Sequence, residues 1–133
     1  MNVLFFLKPK NTITYIYDDF TLRQALEEIK NSGFTSLPVI NREGEFVYTI
    51  SADDILFDIL SRDSFSMLSS ENIKIDNVRK RRIFNTISVN NDIEDLISIS
   101  LKQNYIPVVD DRNKFIGIIT RQDIIKHFYS QLK

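Results

Sequence analysis

The feature that most constrains the fold of this chain is an internal repeat. Residues 37–56 (LPVINREGEFVYTISADDIL) match residues 106–125 (IPVVDDRNKFIGIITRQDII) without a gap, with apolar residues, prolines and turn residues at equivalent positions. Upstream, residues 21–26 match residues 92–97 at a larger offset, and the second copy therefore lacks two residues before Pro107. A repeat of this length indicates one supersecondary unit that is used twice.

Each copy is predicted to have the element order β-α-β-β-α. The first helix carries apolar residues at the i, i+3, i+4 spacing of a one-sided helix, and Thr21 and Gln24 form a capping-box pattern at its start in the first copy. A short turn separates the last two strands of each copy, which predicts a hairpin. The predicted strands of the two copies are residues 13–17 and 86–89, 37–40 and 106–109, and 46–50 and 115–119.

A hydroxyl residue precedes the last helix of each copy, and a carboxylate follows it three positions later. The pairs are Ser51 with Asp54 and Thr120 with Asp123. Such residues stabilise a helix N-terminus through capping and through the helix dipole. The free N–H groups of the same turn also suit a phosphate, and capping and phosphate binding can coexist. From spacing alone, stabilisation of the helix start is the favoured role of the two carboxylates.

The repeat divides the chain into three segments. We expect the first copy at residues 1–63, a connector at residues 64–78 and the second copy at residues 79–133. The basic run at residues 79–82 (RKRR) directly precedes the first strand of the second copy, and we expect it to adjoin that copy alone. It either attracts an anionic ligand, or is a solvated charge run or a docking patch for a partner protein.

Composition excludes several functional classes. The chain has no cysteine and a single histidine, His127, which excludes disulfides, zinc-thiolate sites and histidine-rich metal centres. No nucleophile paired with a base is recognisable, so we expect no enzyme activity, metal site or cofactor. A net charge of −1 gives no support for nucleic-acid binding. The apolar stretch at residues 1–7 is too short for a secretion signal or a membrane span, so we expect a cytoplasmic protein without membrane contact.

The repeated pattern resembles the CBS domain. The segments that carry the resemblance most specifically are residues 105–110 (YIPVVD) and 115–124 (FIGIITRQDI) of the second copy, and the match extends from Phe6 to Tyr129. The two copies together are similar to a CBS pair, also called a Bateman module, and to the small stand-alone CBS proteins of Firmicutes. The resemblance implies an α+β fold, in which the tandem β-α-β-β-α repeats pack sheet to sheet about a pseudo-two-fold axis.

The resemblance also implies a function. CBS pairs bind adenine nucleotides or other adenosyl ligands in clefts between their repeats and signal to a partner protein. We therefore expect a regulatory module that senses AMP, ADP or ATP, forms a homodimer and regulates another protein. Cyclic di-AMP, which some small CBS proteins of Gram-positive bacteria bind, is the alternative ligand. A further alternative is a protein-interaction module that binds no ligand.

The same resemblance assigns candidate ligand-binding residues. Asp54 and Asp123 stand at the family's ribose-binding position, and Ser51 and Thr120 are their hydroxyl partners. Arg121 opposes the helix dipole from the first turn, so it either binds phosphate or is a solvated surface residue. The full set of candidates is Thr12, Thr14, Thr35, Ser36, Leu37, Pro38, Ser51, Asp54, Arg82, Tyr105, Ile106, Pro107, Thr120, Arg121 and Asp123.

Two differences between the copies predict two unequal clefts. We expect Thr35 and Ser36 to have no counterparts in the second copy, because the two-residue gap falls before Pro107. Tyr48 stands where the second copy has Gly117. A glycine in a strand allows a ligand or another backbone to approach closely, whereas a tyrosine there would crowd the cleft or stack on a base.

Overall fold

The structure, a computed structural model, describes residues 1–64, 66 and 68–132. The chain divides into two compact units, each of which contains one copy of the repeat. We call Thr14–Ile83 the repeat-1 unit, and Met1–Ile13 together with Phe84–Lys133 the repeat-2 unit. The N-terminal segment therefore folds with the second copy, while the limits of the copies at residues 63 and 79 stay a prediction.

The order β-α-β-β-α, predicted for each copy, is confirmed. The strands are β1 Lys8–Pro9, β2 Ile16–Tyr17, β3 Ser36–Ile40, β4 Phe46–Ser51, β5 Ile87–Ser88, β6 Tyr105–Val109 and β7 Phe115–Thr120. The helices are α1 Leu22–Ser32, α2 Ala52–Leu60, α3 Ile93–Ser100 and α4 Arg121–Gln131. The first strand of each copy is shorter than predicted, because β2 and β5 each pair over only two residues.

The repeat-1 unit is built on the sheet β2-β3-β4, in which β2 is parallel and β4 antiparallel to β3. Thr21 and Gln24 form the predicted capping box, and α1 ends at Gly33, whose φ of 75° suits a glycine at a helix C-terminus. Both helices contribute to one hydrophobic cluster, because their apolar residues face the sheet. The buried members of this cluster are Ile16, Leu22, Ala25, Leu37, Val39, Ile50, Ile55, Ile75 and Val78.

The end of the predicted connector belongs to the core of the repeat-1 unit. Ile75 lies in a short 3-10 helix, Ile75–Asn77, and is fully buried. Val78, which follows this helix, is almost completely buried. The Ile75 backbone N–H donates to Phe20 O at 3.1 Å, and Ile73 O accepts from Leu22 N at 2.7 Å. These contacts fix the chain beside the start of α1 and bring it back to the sheet just before the basic run.

The repeat-2 unit has the sheet order β1-β7-β6-β5. Here β5 is parallel and β7 antiparallel to β6, as in the repeat-1 unit, but β1 adds a fourth strand antiparallel to β7. The N-terminal segment also supplies Val3 and Phe6 to the hydrophobic cluster of this unit. The other buried members of the cluster are Ile87, Leu96, Ile106, Val108, Ile119 and Ile124.

The two units share the same strand register. Leu37 pairs with Ile50 and Ile106 with Ile119, and each hairpin has a register shift at the same place, before its last residue pair. The units differ in the first helix of each copy, since α1 has 11 residues and α3 has 8. From the start of this helix to the start of the next strand is 14 positions in the repeat-1 unit (Leu22 to Ser36) and 12 in the repeat-2 unit (Ile93 to Tyr105), so the two residues that the second copy lacks are lost in this stretch.

In the described part of the chain, no helix combines the length and the apolar character that a membrane crossing requires. The acidic and histidine side chains of this part form no group of three or more that could hold a metal ion.

Candidate functional site

Asp54, at the start of α2, is a buried carboxylate whose two oxygens are both occupied by the protein. The residue is 3% exposed. Its Oδ2 accepts from the backbone N–H of Ser51 at 2.9 Å, and its Oδ1 accepts from the backbone N–H of Arg81 at 2.9 Å. Because buried polar groups are normally satisfied by such bonds, Asp54 fits a structural role in the repeat-1 unit.

Asp123, the equivalent residue at the start of α4, lies in a different environment. Its backbone N–H donates to the Thr120 hydroxyl at 3.2 Å, so Thr120 is the N-cap. The Asp123 side chain is 33% exposed, and its Oδ2 lies 3.4 Å from the ammonium of Lys8, which is itself 46% exposed. An exposed pair at this distance contributes only about 0–1 kcal/mol. The Asp123 carboxylate can therefore accept hydrogen bonds from a ligand hydroxyl.

The strand residues before these helices have equivalent partners in both units. Ser36 pairs with Ser51 across the hairpin, and Tyr105 pairs with Thr120. Thr35 O accepts from the first N–H of α2 at 2.8 Å, just as Asn104 O accepts from the first N–H of α4 at 2.9 Å. The prediction that Thr35 and Ser36 have no counterparts was wrong, because the gap lies further upstream, where α3 is shorter than α1.

The remaining strand candidates are buried, and their role in ligand binding stays a prediction. They are Leu37, Pro38, Ile106 and Pro107. Tyr105 is also buried, and its ring centroid lies 5.1 Å from that of Phe84. The sequence reasoning missed Phe84, because only the fold shows that it packs on this strand.

The two threonines near the first strand fall in different units. Thr12 lies in the repeat-2 unit at the end of the 3-10 helix Lys10–Thr12, and its hydroxyl donates to Pro9 O at 2.8 Å. Thr14 belongs to the repeat-1 unit and is half-buried just before β2. Only Thr12 therefore belongs to the unit that contains Asp123.

Arg121 connects the two helices of the repeat-2 unit. Its Nε donates to Ser100 O, at the end of α3, at 2.7 Å. A cation at a helix C-terminus is favourable because it satisfies a free carbonyl and complements the helix dipole. This contact offsets the unfavourable position of Arg121 in the first turn of α4, and its role in phosphate binding stays a prediction.

The basic run packs on the repeat-1 unit, so the expectation that it adjoins only the second copy was wrong. The Arg82 guanidinium forms an ion pair with Asp53 of α2, with Nη2 and Oδ2 2.6 Å apart. The Arg81 guanidinium lies 4.1 Å from the ring centroid of Phe57. The run follows Val78 directly, and burial of that residue in the repeat-1 core holds the run against α2.

Lys80 and Tyr48 form a partly buried pair in the same region. The Lys80 ammonium donates to Ile75 O at 2.6 Å and lies 3.9 Å from the centre of the Tyr48 ring. The Tyr48 hydroxyl donates to the Asp76 carboxylate. Burial, followed by this hydrogen bond, raises the pKa of Tyr48, and burial lowers the pKa of Lys80. Tyr48 therefore contacts the basic run through Lys80 and helps to hold it on the repeat-1 unit.

Gly117 leaves room for the backbone of strand β1, which passes close to it. Its φ is +155°, and a Cβ atom there would lie 2.2 Å from Lys8 O of β1. Of the two alternatives that the sequence left open, the structure thus shows close approach of another backbone. This approach brings Lys8, which the sequence reasoning missed, to the start of α4. Gly117 was the one signal in the sequence that could have pointed to it.

Comparisons with known proteins agree on one family. The sequence model of the CBS domain matches residues 9–61 and 76–130. The chain is 26% identical, over 88% of its length, to inosine-5′-monophosphate dehydrogenase of Methanocaldococcus jannaschii, but covers only 22% of that protein. Like this one, the other curated relatives compared are matched over less than half of their length.

Solved structures resemble the chain over nearly its whole length. A CBS domain protein from Streptococcus pneumoniae has a TM-score of 0.86 at 26% identity, with 96% of this chain and 86% of that chain covered. The protein CbpB, solved in complex with cyclic di-AMP, has a TM-score of 0.86 at 25% identity, with 99% of this chain and 87% of that chain covered. With two matched repeats that cover most of its residues, this chain belongs to the CBS domain family.

Proposed function

We propose that this chain is a non-catalytic regulatory module that binds an adenine nucleotide at the start of α4 in the repeat-2 unit. The observation that carries the proposal is the contrast between the two equivalent carboxylates. Both oxygens of Asp54 accept backbone N–H groups, whereas the Asp123 carboxylate forms an ion pair with the half-exposed ammonium of Lys8. A carboxylate in that state can accept hydrogen bonds from ribose hydroxyls.

The rest of the site has features suited to a nucleotide. Thr120 places a hydroxyl beside Asp123, and Lys8 places a positive charge there. Phe84, which is half-buried beside the Tyr105 ring, provides aromatic surface in the same unit. Aromatic faces stack on bases with little dependence on base identity, so Phe84 suits a nucleobase.

Cyclic di-AMP is the second candidate ligand. It is favoured by the likeness to CbpB, which was solved with cyclic di-AMP and is 25% identical to this chain. The two ligands make different demands on Asp123, because the phosphate ring of cyclic di-AMP uses the 3′ oxygen that AMP leaves free. Loss of the Asp123 carboxylate is therefore expected to weaken AMP more than cyclic di-AMP.

A thermal-shift screen tests the proposal. A ligand that binds only the folded protein stabilises it by mass action and so raises Tm. At a free ligand concentration of a hundred times Kd, the free energy of unfolding increases by about 2.7 kcal/mol. The screen uses AMP, ADP, ATP, cyclic di-AMP and S-adenosylmethionine, together with mass spectrometry of nucleotides released from the purified protein. A shift with at least one adenine nucleotide is expected. If no compound shifts Tm and no nucleotide co-purifies, the proposal is wrong. The alternative, a protein-interaction module that binds no ligand, then remains.

The signal to a partner requires an exposed surface, and the helices of the repeat-2 unit offer one. A groove of about 920 Å³ lies between α3 and α4. Its apolar rim is exposed, with Leu101, Ile125 and Leu132 each more than half accessible. Large exposed apolar patches mark protein interaction sites. We propose that a second copy of the chain covers this groove in a homodimer, through which ligand binding reaches the regulated protein.

A further inference from the structure

The N-terminal segment is held in a fixed position beside the candidate nucleotide site. Lys8 of β1 pairs with Ile118 of β7, next to the pair of Pro9 with Gly117. Upstream, Val3 and Phe6 are buried in the core of the repeat-2 unit. Anchored on both sides, the Lys8 backbone cannot move away from β7 without breaking strand pairing and exposing apolar surface. The position of the Lys8 side chain at the start of α4 is thus a property of the fold.

The charge balance of the site favours a cation near Asp123. A nucleotide phosphate brings negative charge to a place that already contains a carboxylate, and two like charges a few ångströms apart repel each other. Arg121 follows Thr120 directly, but its Nε is engaged by Ser100 O at 2.7 Å. Within the described part of the chain, Lys8 is the basic residue that forms an ion pair with Asp123.

The Lys8–Asp123 pair is loose enough to be rearranged. Nζ and Oδ2 are 3.4 Å apart, and the two side chains are 46% and 33% exposed. The ion pair of Arg82 with Asp53, at comparable exposure, is closer at 2.6 Å. Neither Lys8 nor Asp123 is buried, so separating them leaves no charge stranded in the interior. The flexible four-carbon stem of lysine lets its ammonium follow an anion over several ångströms.

We infer that Lys8 is a specificity-determining residue of the ligand site. The Lys8 ammonium binds the phosphate of the nucleotide, while Asp123 accepts hydrogen bonds from the ribose. This inference rests on the proposed function and adds to it the selection of nucleotides over nucleosides. In the free protein, Lys8 neutralises Asp123. In the complex, the ribose hydroxyls take the Asp123 carboxylate, and the released ammonium forms a charge-assisted contact with the phosphate.

The test compares AMP and ATP with adenosine by isothermal titration calorimetry. Lys8→Met keeps the stem of the side chain and removes its charge, and Lys8→Gln is a second neutral variant. Both are expected to weaken AMP and ATP about ten- to a hundredfold, the loss of one hydrogen bond to a charged group, with adenosine affinity unchanged. Lys8→Arg is expected to retain AMP binding. Lys102→Met is the control, because Lys102 is an exposed lysine of the same unit.

The outcomes separate this inference from the proposed function. If Lys8→Met and Lys8→Gln bind AMP as tightly as the unmodified protein, the role of Lys8 is wrong while nucleotide binding stands. If both variants lose affinity for adenosine and AMP by the same factor, Lys8 affects binding indirectly, through Asp123 or through the position of β1. The proposed contact with the phosphate is then wrong. If the unmodified protein binds neither AMP, ATP nor adenosine, the proposed function fails and this inference with it. Thermal unfolding of each variant confirms that β1 is still in place.

Discussion

The carboxylate of Asp54 accepts the backbone N–H of Arg81 at 2.9 Å, across 27 positions of sequence. This bond ties the basic run to the first turn of α2. The other Asp54 oxygen accepts from the N–H of Ser51, and the residue is only 3% exposed, so little of this carboxylate is open to a further donor. The equivalent carboxylate of Asp123 is 33% exposed.

The first prediction concerns the stability of the repeat-1 unit. Asp54→Ala leaves two N–H groups without their acceptor at a residue that is 3% exposed. We expect a loss of about 2–4 kcal/mol in the free energy of unfolding, measured by urea denaturation. Asp123→Ala is the matched control and is expected to cost no more than about 1 kcal/mol, because its ion pair is exposed. Equal losses in the two variants would show that Asp54 has no special structural role.

The second prediction concerns the attachment of β1. Gly117→Ala places a Cβ 2.2 Å from Lys8 O at a φ of +155°, so strand pairing must be disrupted. We expect a destabilisation of about 3 kcal/mol and faster amide hydrogen exchange in the N-terminal segment. Gly33→Ala is the control, since Gly33 also has a positive φ but a Cβ added there would meet no atom within 4 Å, and it should cost about 1 kcal/mol. Similar costs would contradict the close approach of β1.

The third prediction concerns pH dependence. Burial and the hydrogen bond to Asp76 raise the pKa of Tyr48 in the folded state above its ordinary value of about 10. The protonated phenol thus stabilises the fold below that pH, and this contribution is lost as pH rises above it, by about 1.4 kcal/mol per pH unit. Urea unfolding at pH 8 and pH 11 is expected to show a larger loss for the unmodified protein than for Tyr48→Phe. The same loss in both would refute this role.

Much of the fold could be predicted from the sequence, because the repeat determines the element order of both units. The hairpins and the helix starts follow from local patterns such as the capping box of Thr21 and Gln24. What could not be predicted depends on long-range contacts. The pairing of Lys8 with Ile118 spans most of the chain, and the packing of the basic run on α2 depends on the burial of Val78.

For the site, the sequence singled out two equivalent carboxylates but could not tell their surroundings apart. Asp54 and Asp123 occupy identical places in the repeat, and local patterns treat them alike. Their difference comes from Arg81 and Lys8, which reach them from distant parts of the chain. The position of the two-residue gap was also misjudged, since a gap in a pairwise match can be placed anywhere between two matched blocks, and only the register of Ser36 with Ser51 fixed it.

The fourth prediction concerns the apolar groove between α3 and α4. Ile125 is 59% exposed there, and a charge at its position would oppose burial against a second copy. We expect the unmodified chain to be a dimer and Ile125→Glu a monomer in size-exclusion chromatography with light scattering. Lys126→Glu, at an exposed neighbouring position that does not line the groove, is expected to leave the dimer intact. A monomeric unmodified protein, or a dimeric Ile125→Glu, would contradict the proposal.

The most direct test of the account is the affinity for AMP of Asp123→Ala compared with Asp53→Ala, measured by isothermal titration calorimetry. Each carboxylate is about one-third exposed and lies in the first turn of the last helix of its repeat. Asp123 forms an ion pair with Lys8, and Asp53 forms one with Arg82. We predict that Asp123→Ala weakens AMP binding at least about tenfold, the loss of a hydrogen bond to a charged group, and that Asp53→Ala changes it less than about twofold. Equal effects of the two substitutions would contradict the assignment of Asp123 to the ribose.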